Sequence, residues 1–423
     1  MVRIIISSEK EEIQKLKARN YQSFDIAIDR VMPIIRDVRI KGDNAVFEYT
    51  EKFDNIKTNK FSIKVSEKEI KDSYKKLDKK VISAMKTASE NIRRYALLQK
   101  PKEWKKTVSE GITLGQIIRP LDSVGCYVPC GTYPLPSTLL MTVVTAKTAG
   151  VRNVIVCSPP REKSYSIWVA ADIAGADAIY KVGGAQSIAA MAYGTESIPK
   201  VKKIVGPGNI FVTAAKKIVY GDVDIDFIAG PTEIIIYSKK GNPKFIASDM
   251  LAQAEHDVLA MALFVTPDRN LAERVSEEID SQLSRLSTRA TAIESIRNFG
   301  AIIIVENIKQ AAEIINDFAP EHLEIMDNEE KLLPLVSNAG AIFLGEYSPE
   351  SAGDFASGPN HVLPTRGFAA SRAGLSICDF IKMPSLQKLS KQGLSSIKDT
   401  IIALAETEGL EAHKRSAEIR FEK

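Results

Sequence analysis

Apolar residues recur at three- and four-residue spacing through most of residues 7–110, most clearly over 31–46 and 80–97. That period places them on one face of amphipathic helices, with a short extended piece near residues 61–65 between them. At Gly111 the pattern changes. Short runs at 124–128, 154–157, 178–182, 204–205 and 234–237 are apolar at consecutive positions, as strands buried on both faces are. Helical stretches at 138–149, 164–174, 187–193 and 210–219 separate them, and repeated strand–helix units predict a parallel sheet covered on both faces. A second alternation follows, with strands at 261–265, 301–305 and 341–344 and helices at 271–286 and 308–318. From residue 385 onward the pattern reads as helical, broken at Gly393 and Gly409. The predicted fold class is α/β, with two parallel-sheet domains at 111–240 and 241–380. A mainly helical segment, 1–110, precedes them and a helical segment, 381–423, follows.

Composition narrows the function classes. The chain has 423 residues, too many for one typical domain, and is 44% hydrophobic and 26% charged, as globular proteins are. Lys and Arg total 57 against 53 Asp and Glu, a net charge of +4 that points to neither a nucleic-acid nor a membrane partner. Residues 1–110 carry 26 basic and 17 acidic side chains, leaving the remainder acidic. With no aromatic–basic motif in that segment, the excess reads as solvated helix faces. The apolar run at the start is too short for a signal peptide, and no stretch approaches a membrane span. Four cysteines, two of them in the wrong spacing for CxxC, make no disulfide framework, so the expectation is a cytoplasmic protein with free thiols.

Candidate chemistry begins in the segment that ends at Ser248-Asp249-Met250-Leu251-Ala252-Gln253-Ala254-Glu255-His256. Asn242 as N-cap and Pro243 in the first turn open a helix there, and Gln253 and His256, three apart, share one of its faces. The helix falls between the two sheet domains, where ligand sites tend to lie. There are four histidines, His256, His322, His361 and His413, each beside carboxylates or amides. Asp354 lies in a Gly- and Ser-rich loop running to His361, and His413 lies near the end of the chain, five residues after Glu408. Gln253, His256, Asp354 and His413 make a nitrogen and oxygen donor set that suits zinc. Glu321 and His322 follow Pro320 on a bend, where adjacent side chains can face one cavity and divide two proton-transfer tasks. In the first sheet domain the Gly-x-Gly-x-x-Gly fingerprint is absent. Gly183-Gly184-Ala185-Gln186 and Gly206-Pro207-Gly208-Asn209 stand at strand ends instead, serving either a phosphate or simply the turn. Tyr127, after the first strand, offers a ring to pack on a cofactor, and Gln186 and Asn209 offer side-chain amides.

Together the motifs resemble the histidinol dehydrogenase family from about residue 31 onward. The specific ones are Val205-Gly206-Pro207-Gly208-Asn209, Ala229-Gly230-Pro231-Thr232-Glu233, Ser248-Asp249 with Gln253-Ala254-Glu255-His256, Ala319-Pro320-Glu321-His322-Leu323-Glu324, and Ser351-Ala352-Gly353-Asp354 through Asn360-His361-Val362-Leu363-Pro364-Thr365. The resemblance implies that both sheet domains are Rossmann-like, the first without the glycine fingerprint. It implies zinc, one ion per subunit, on Gln253, His256, Asp354 and His413. Glu321 and His322 become the acid/base pair, and Tyr127, Gln186 and Asn209 the NAD contacts. Substrate contacts are Thr232, Gln253, His256, His322, Asp354, Glu408 and His413. It further implies a homodimer with shared active sites, in which the C-terminal segment contributes Glu408 and His413 to a partner subunit. Cys130 stands where the family usually has Gly, Thr145 replaces a frequent Pro and Thr232 a frequent Ser.

The implied reaction is the four-electron oxidation of L-histidinol to L-histidine with two NAD, by way of a bound aldehyde, the final step of histidine biosynthesis. A relative oxidising another primary alcohol, such as a sulfonated diol, is the alternative; the carboxylate of Glu408 argues against an anionic substrate. A zinc hydrolase and a non-catalytic NAD-binding protein complete the set of readings.

Overall fold

The computed structural model describes residues 2–17, 22–130, 134–161 and 164–422, without the side chains of residues 22 and 23. The chain divides into two compact units, one of residues 1–99 and 121–380 and one of residues 100–120 and 381–423.

The larger unit contains two parallel sheets. In the first, Ala178–Lys181, Asn153–Ser158, Ser123–Tyr127, Lys203–Val205 and Asp224–Ile225 lie side by side in that order. Numbered along the chain, these strands run 3-2-1-4-5, so the order reverses between the first and the fourth. The carboxyl ends of those two strands are the switch point at which doubly wound sheets hold nucleotides. Tyr127 ends the first strand and pairs with Cys157, and Gly206 follows the fourth. The helices between strands, Pro136–Ala149, Tyr165–Ala174, Gly184–Tyr193 and Ile210–Val219, cover the sheet. The extended piece at residues 61–65 adds to its outer edge, Val65 donating to the Ile179 carbonyl at 2.9 Å and Lys181 to that of Ile63 at 2.7 Å.

The second sheet has six strands in the order Arg3–Ile6, Gly300–Ile304, Met261–Thr266, Glu233–Tyr237, His322–Ile325 and Ala341–Leu344, all parallel. Glu233–Tyr237, which in sequence continues the first alternation, is a central strand here. Its apolar run is consistent with either sheet, and only pairing distinguishes them. Ile234 and Ile236 pack with Ala247, Met250 and Phe264 on one face, while Ile235 and Tyr237 pack with Leu263 and Leu323 on the other. The two-residue alternation of a strand is thus satisfied by apolar layers on both sides. The edge strand Arg3–Ile6 and the helix Arg289–Phe299 are elements the sequence pattern did not distinguish.

In the smaller unit, Trp104–Ser109, Ile112–Gln116 and Ser385–Leu389 form an antiparallel sheet followed by the helices Lys391–Thr407 and Glu411–Glu418. This corrects the helical reading of residues 104–109 and 385–389. All six residues of Trp104–Ser109 are exposed, so no burial imposes an apolar alternation on its sequence. Gly409, with φ +70°, does break the C-terminal helices. Gly393 instead lies within the first of them, where a Cβ would come 2.2 Å from the Gly111 carbonyl oxygen. Among the described residues, no helix is long and apolar enough to cross a membrane. All four cysteines are free.

Candidate active site

The helix Pro243–Ala254 starts as its sequence predicts, with the Asn242 side chain accepting from the Lys244 amide at 3.0 Å and Pro243 in the first turn. It carries the chain from the carboxyl end of Glu233–Tyr237 back to the amino ends of the second sheet's strands. Gln253 is fully buried in its last turn. His256 lies two residues beyond the helix and is exposed, its Nδ1 2.9 Å from the Ala252 carbonyl. The two are therefore not on one continuous helical face; the chain leaves the helix between them.

Glu321 occupies the bend after Pro320, and His322 is the first residue of the strand His322–Ile325, beside Ile234 of the neighbouring strand. Both are buried. Two donors meet Glu321 at one oxygen, Oε2: the Thr232 hydroxyl, and the Glu233 amide at 2.9 Å. Burial pushes the Glu321 carboxyl above its ordinary range, against the opposing pull of His322, Thr232 and Glu233. The His322 Nδ1 lies 3.1 Å from the Glu233 carbonyl. A proton on Nδ1 satisfies that contact and leaves the lone pair on Nε2. Nε2 is buried without a hydrogen-bond partner among the described residues, the nearest carboxylate oxygen, Asp354 Oδ1, being 3.7 Å away. Burial alone would lower the His322 pKa, but the carboxylates of Glu350, Glu321 and Asp354 override it and hold the imidazole well above its usual value.

Glu350 is a residue that sequence reading passed over. It begins the helix Glu350–Phe355, four positions before Asp354, so both project from one face of that helix. The i, i+4 spacing of two carboxylates was the available signal. Its Oε1 is 3.5 Å from His322 Nδ1, and burial is the main cause that raises its pKa to about 8. The helix can approach because Gly353 has no side chain; a Cβ there would sit 2.5 Å from the Phe343 ring. Glu324, on the same strand face as His322, accepts from the Glu350 amide at 2.6 Å. Behind it Asp249 is raised to about 6 by burial, with Glu324 opposing the shift through a hydrogen bond.

Gln253 connects these groups. With its nitrogen toward Thr232 it donates to that hydroxyl at 2.8 Å. With the amide reversed, the nitrogen reaches Glu350 Oε1 at 3.0 Å and the oxygen accepts from Thr232 at 2.8 Å. The reversed orientation gives the amide oxygen a donor and the amide nitrogen acceptors.

The loop after Asp354 joins the two sheets. His361 Nδ1 contacts the Asp354 carbonyl at 2.8 Å and its Nε2 the Thr138 hydroxyl at 3.1 Å, on the helix that follows the first switch strand. Asn360 donates to the Met141 carbonyl of that helix at 2.8 Å. At the switch point, Gly206 has φ +117° and passes so close to Tyr127 that a Cβ would stand 2.1 Å from its carbonyl oxygen. Asn209 caps the next helix, accepting from Phe211 and Val212 at 3.1 Å each. Both polar atoms of the Gln186 side chain are buried without partners among the described residues. Buried polar atoms without protein partners are satisfied by water or by a bound group.

Of the expected metal ligands, Asp354 and Gln253 adjoin the cluster, and His256 acts electrostatically on Asp354. Among the described residues, the group of three acidic and histidine side chains whose ligand atoms lie within 4.8 Å of one another is His322, Glu350 and Asp354. An anionic pocket with an unpartnered imidazole nitrogen fits a divalent cation. His413, on Glu411–Glu418, and Glu408, at the end of the preceding helix, belong to the smaller unit.

A doubly wound sheet with a switch point and a buried Glu–His pair on a second parallel sheet place the chain among α/β proteins of the kind that bind nucleotides. A family model for histidinol dehydrogenase matches residues 17–421. A histidinol dehydrogenase of Clostridium acetobutylicum is 50% identical over 96% of this chain and 95% of its own length. One of Methanothermobacter thermautotrophicus is 46% identical over 98% of each. The crystal structure of histidinol dehydrogenase from Elizabethkingia anophelis superposes with a TM-score of 0.95 at 36% identity, covering 99% of this chain and 98% of that one. The chain belongs to the histidinol dehydrogenase family, and it is an NAD-dependent dehydrogenase.

Proposed function

We propose that the chain oxidises L-histidinol to L-histidine by four electrons, consuming two NAD and one water, as the final step of histidine biosynthesis. The observation that carries the chemistry is the pairing of Glu321 with a His322 whose Nε2 is buried and unpartnered. In its unprotonated form, which the neighbouring carboxylates confine to more alkaline pH, His322 takes the hydroxyl proton of the alcohol on Nε2, while Nδ1 holds the ring against the Glu233 carbonyl. NAD, which Tyr127, Gln186 and Asn209 would hold, would supply the hydride acceptor for the oxidation of the alcohol and again for that of the hydrated aldehyde. Glu321 takes a proton from the water that adds to the aldehyde, using the oxygen not engaged by Thr232 and Glu233. The products are the carboxylate, two NADH and three protons.

The zinc ion we assign to Gln253, His256, Asp354 and His413. When bound it supplies a positive centre for the imidazole and amino nitrogens of the substrate. Those nitrogens bind a metal only unprotonated, so activity rises toward alkaline pH. Tyr127, Gln186 and Asn209 receive NAD at the switch point, where the Gly206 turn brings backbone close and the Gln186 amide lacks partners. Thr232 and Glu408 contact substrate. We assign Glu408 and His413 to the site of a partner subunit in a homodimer, and the cytoplasm as the compartment. The test is L-histidinol plus NAD, with and without a chelator, following NADH and histidine together. Two NADH per histidine, with loss on chelation and recovery with zinc, is expected. One NADH per turnover, or full activity after metal removal, would sink the reading.

A further inference from the structure

In doubly wound nucleotide folds the end of the second strand is where the adenosine ribose is read. An acidic side chain there accepts from the 2′-hydroxyl, and an arginine there accommodates a 2′-phosphate. The corresponding strand here is Asn153–Ser158, and it runs into Ser158-Pro159-Pro160-Arg161. Arg161 is followed in sequence by Glu162, which lies outside the described residues. Among the described residues of this turn the arginine is the charged group, and an arginine here suits a 2′-phosphate.

The tertiary structure alters the chemistry at this point. Asp54, the last residue of the helix Asp43–Asp54, lies 2.8 Å from the Arg161 guanidinium through Oδ1. Its side chain is only 7% exposed, whereas that of Arg161 is 41% exposed. The Arg161 amide donates to the Ser164 hydroxyl at 2.8 Å and the Ser164 amide to the Arg161 carbonyl at 3.1 Å. Pro159 packs where a Cβ on Gly183 would stand, 2.2 Å from its Cγ, so this turn adjoins the one carrying Gln186. Asp54 acts electrostatically on Tyr127, and both Asp54 and Arg161 act on Cys130, which places the pair beside the switch point.

We propose that Asp54 is the residue that selects NAD over NADP, supplied from outside the sheet to neutralise Arg161 and to accept from the adenosine ribose 2′-hydroxyl. A 2′-phosphate brings nearly two negative charges against a carboxylate and finds the Arg161 guanidinium already engaged. A ribose hydroxyl donates to the same carboxylate at no such cost. The inference rests on the placement of NAD at the switch point proposed above.

The experiment titrates the full-length protein with NADH and with NADPH by fluorescence and compares dissociation constants for the parent, Asp54→Asn, Arg161→Gln, the double variant and Asn209→Ala. Asp54→Asn is expected to lower the NADH preference at least tenfold by freeing Arg161 for the phosphate, and adding Arg161→Gln is expected to remove the gain. Arg161→Gln alone, at a half-exposed position, should weaken NADPH further and leave NADH within about threefold. It serves as the test if Asp54→Asn melts early. An unchanged preference in Asp54→Asn, with Asn209→Ala weakening NADH, would overturn the selectivity role while keeping the cofactor site. Unchanged NADH binding in Asn209→Ala and Asp54→Asn alike would overturn the cofactor placement and the proposal with it.

Discussion

Replacing Glu321 by Gln separates the proton chemistry from the architecture that supports it. Both donors to Glu321, the Thr232 hydroxyl and the Glu233 amide, meet the same oxygen. A glutamine placing its carbonyl oxygen there keeps both bonds and puts its amide nitrogen where the reacting oxygen was. Its volume is unchanged and no buried charge is stranded, so the stability cost should be about 1 kcal/mol or less. The loss falls on the second half-reaction, where no group remains to take the proton from water. A positioned general base is worth about 10²–10⁴-fold, or about 3–5 kcal/mol of barrier. We therefore expect kcat for histidinol to fall by that factor, KM to stay within about threefold, and the melting temperature to move by only a few degrees. Supplying the aldehyde directly should expose the same defect. An Glu321→Gln protein that melts like the parent yet retains more than a tenth of its kcat would refute the role of Glu321 as base.

Three further outcomes follow from the structure. Asp249 is raised from 3.8 to about 6, so its contribution is intact below about pH 4 and is lost as pH rises through 6. Asp249→Asn should accordingly stabilise by up to about 3 kcal/mol at pH 8 and by little at pH 4, read from urea midpoints at the two pH values. Lys216 and Asp226 form a fully buried ion pair that also holds the Gly206 peptide, with Lys216 donating to its carbonyl at 2.9 Å and Asp226 accepting from its amide at 2.7 Å. Lys216→Met strands that carboxylate and should cost about 3–5 kcal/mol in thermal or urea unfolding; a loss under 1 kcal/mol would contradict the pairing. If His413 serves a partner's site, mixing Glu321→Gln with His413→Asn chains, each inactive alone, should restore roughly a quarter of parental activity through heterodimers with one intact site. No restoration after confirmed exchange of subunits would place His413 outside the partner's site.

Much of the architecture was legible in the sequence because its signals are local. Buried parallel strands must be apolar on both faces, so Ile234-Ile235-Ile236 and Met261–Thr266 read as strands without knowledge of their partners. Asn242 and Pro243 announce a helix by satisfying its first backbone groups, and the motifs around Glu321, His322 and Asp354 identified the family. Pairing is different, because it is decided between segments far apart in sequence. The sequence did not determine that Glu233–Tyr237 lies between Met261–Thr266 and His322–Ile325, a placement that brings Thr232 and Glu233 to the Glu321 carboxylate. It did not reveal that Trp104–Ser109 is a strand, since an exposed strand carries no apolar alternation. Nor did it show Glu350 at His322, or Asp54 covering Arg161. A carboxylate's sequence neighbours state its type, whereas its pKa and its partner depend on what the fold buries beside it.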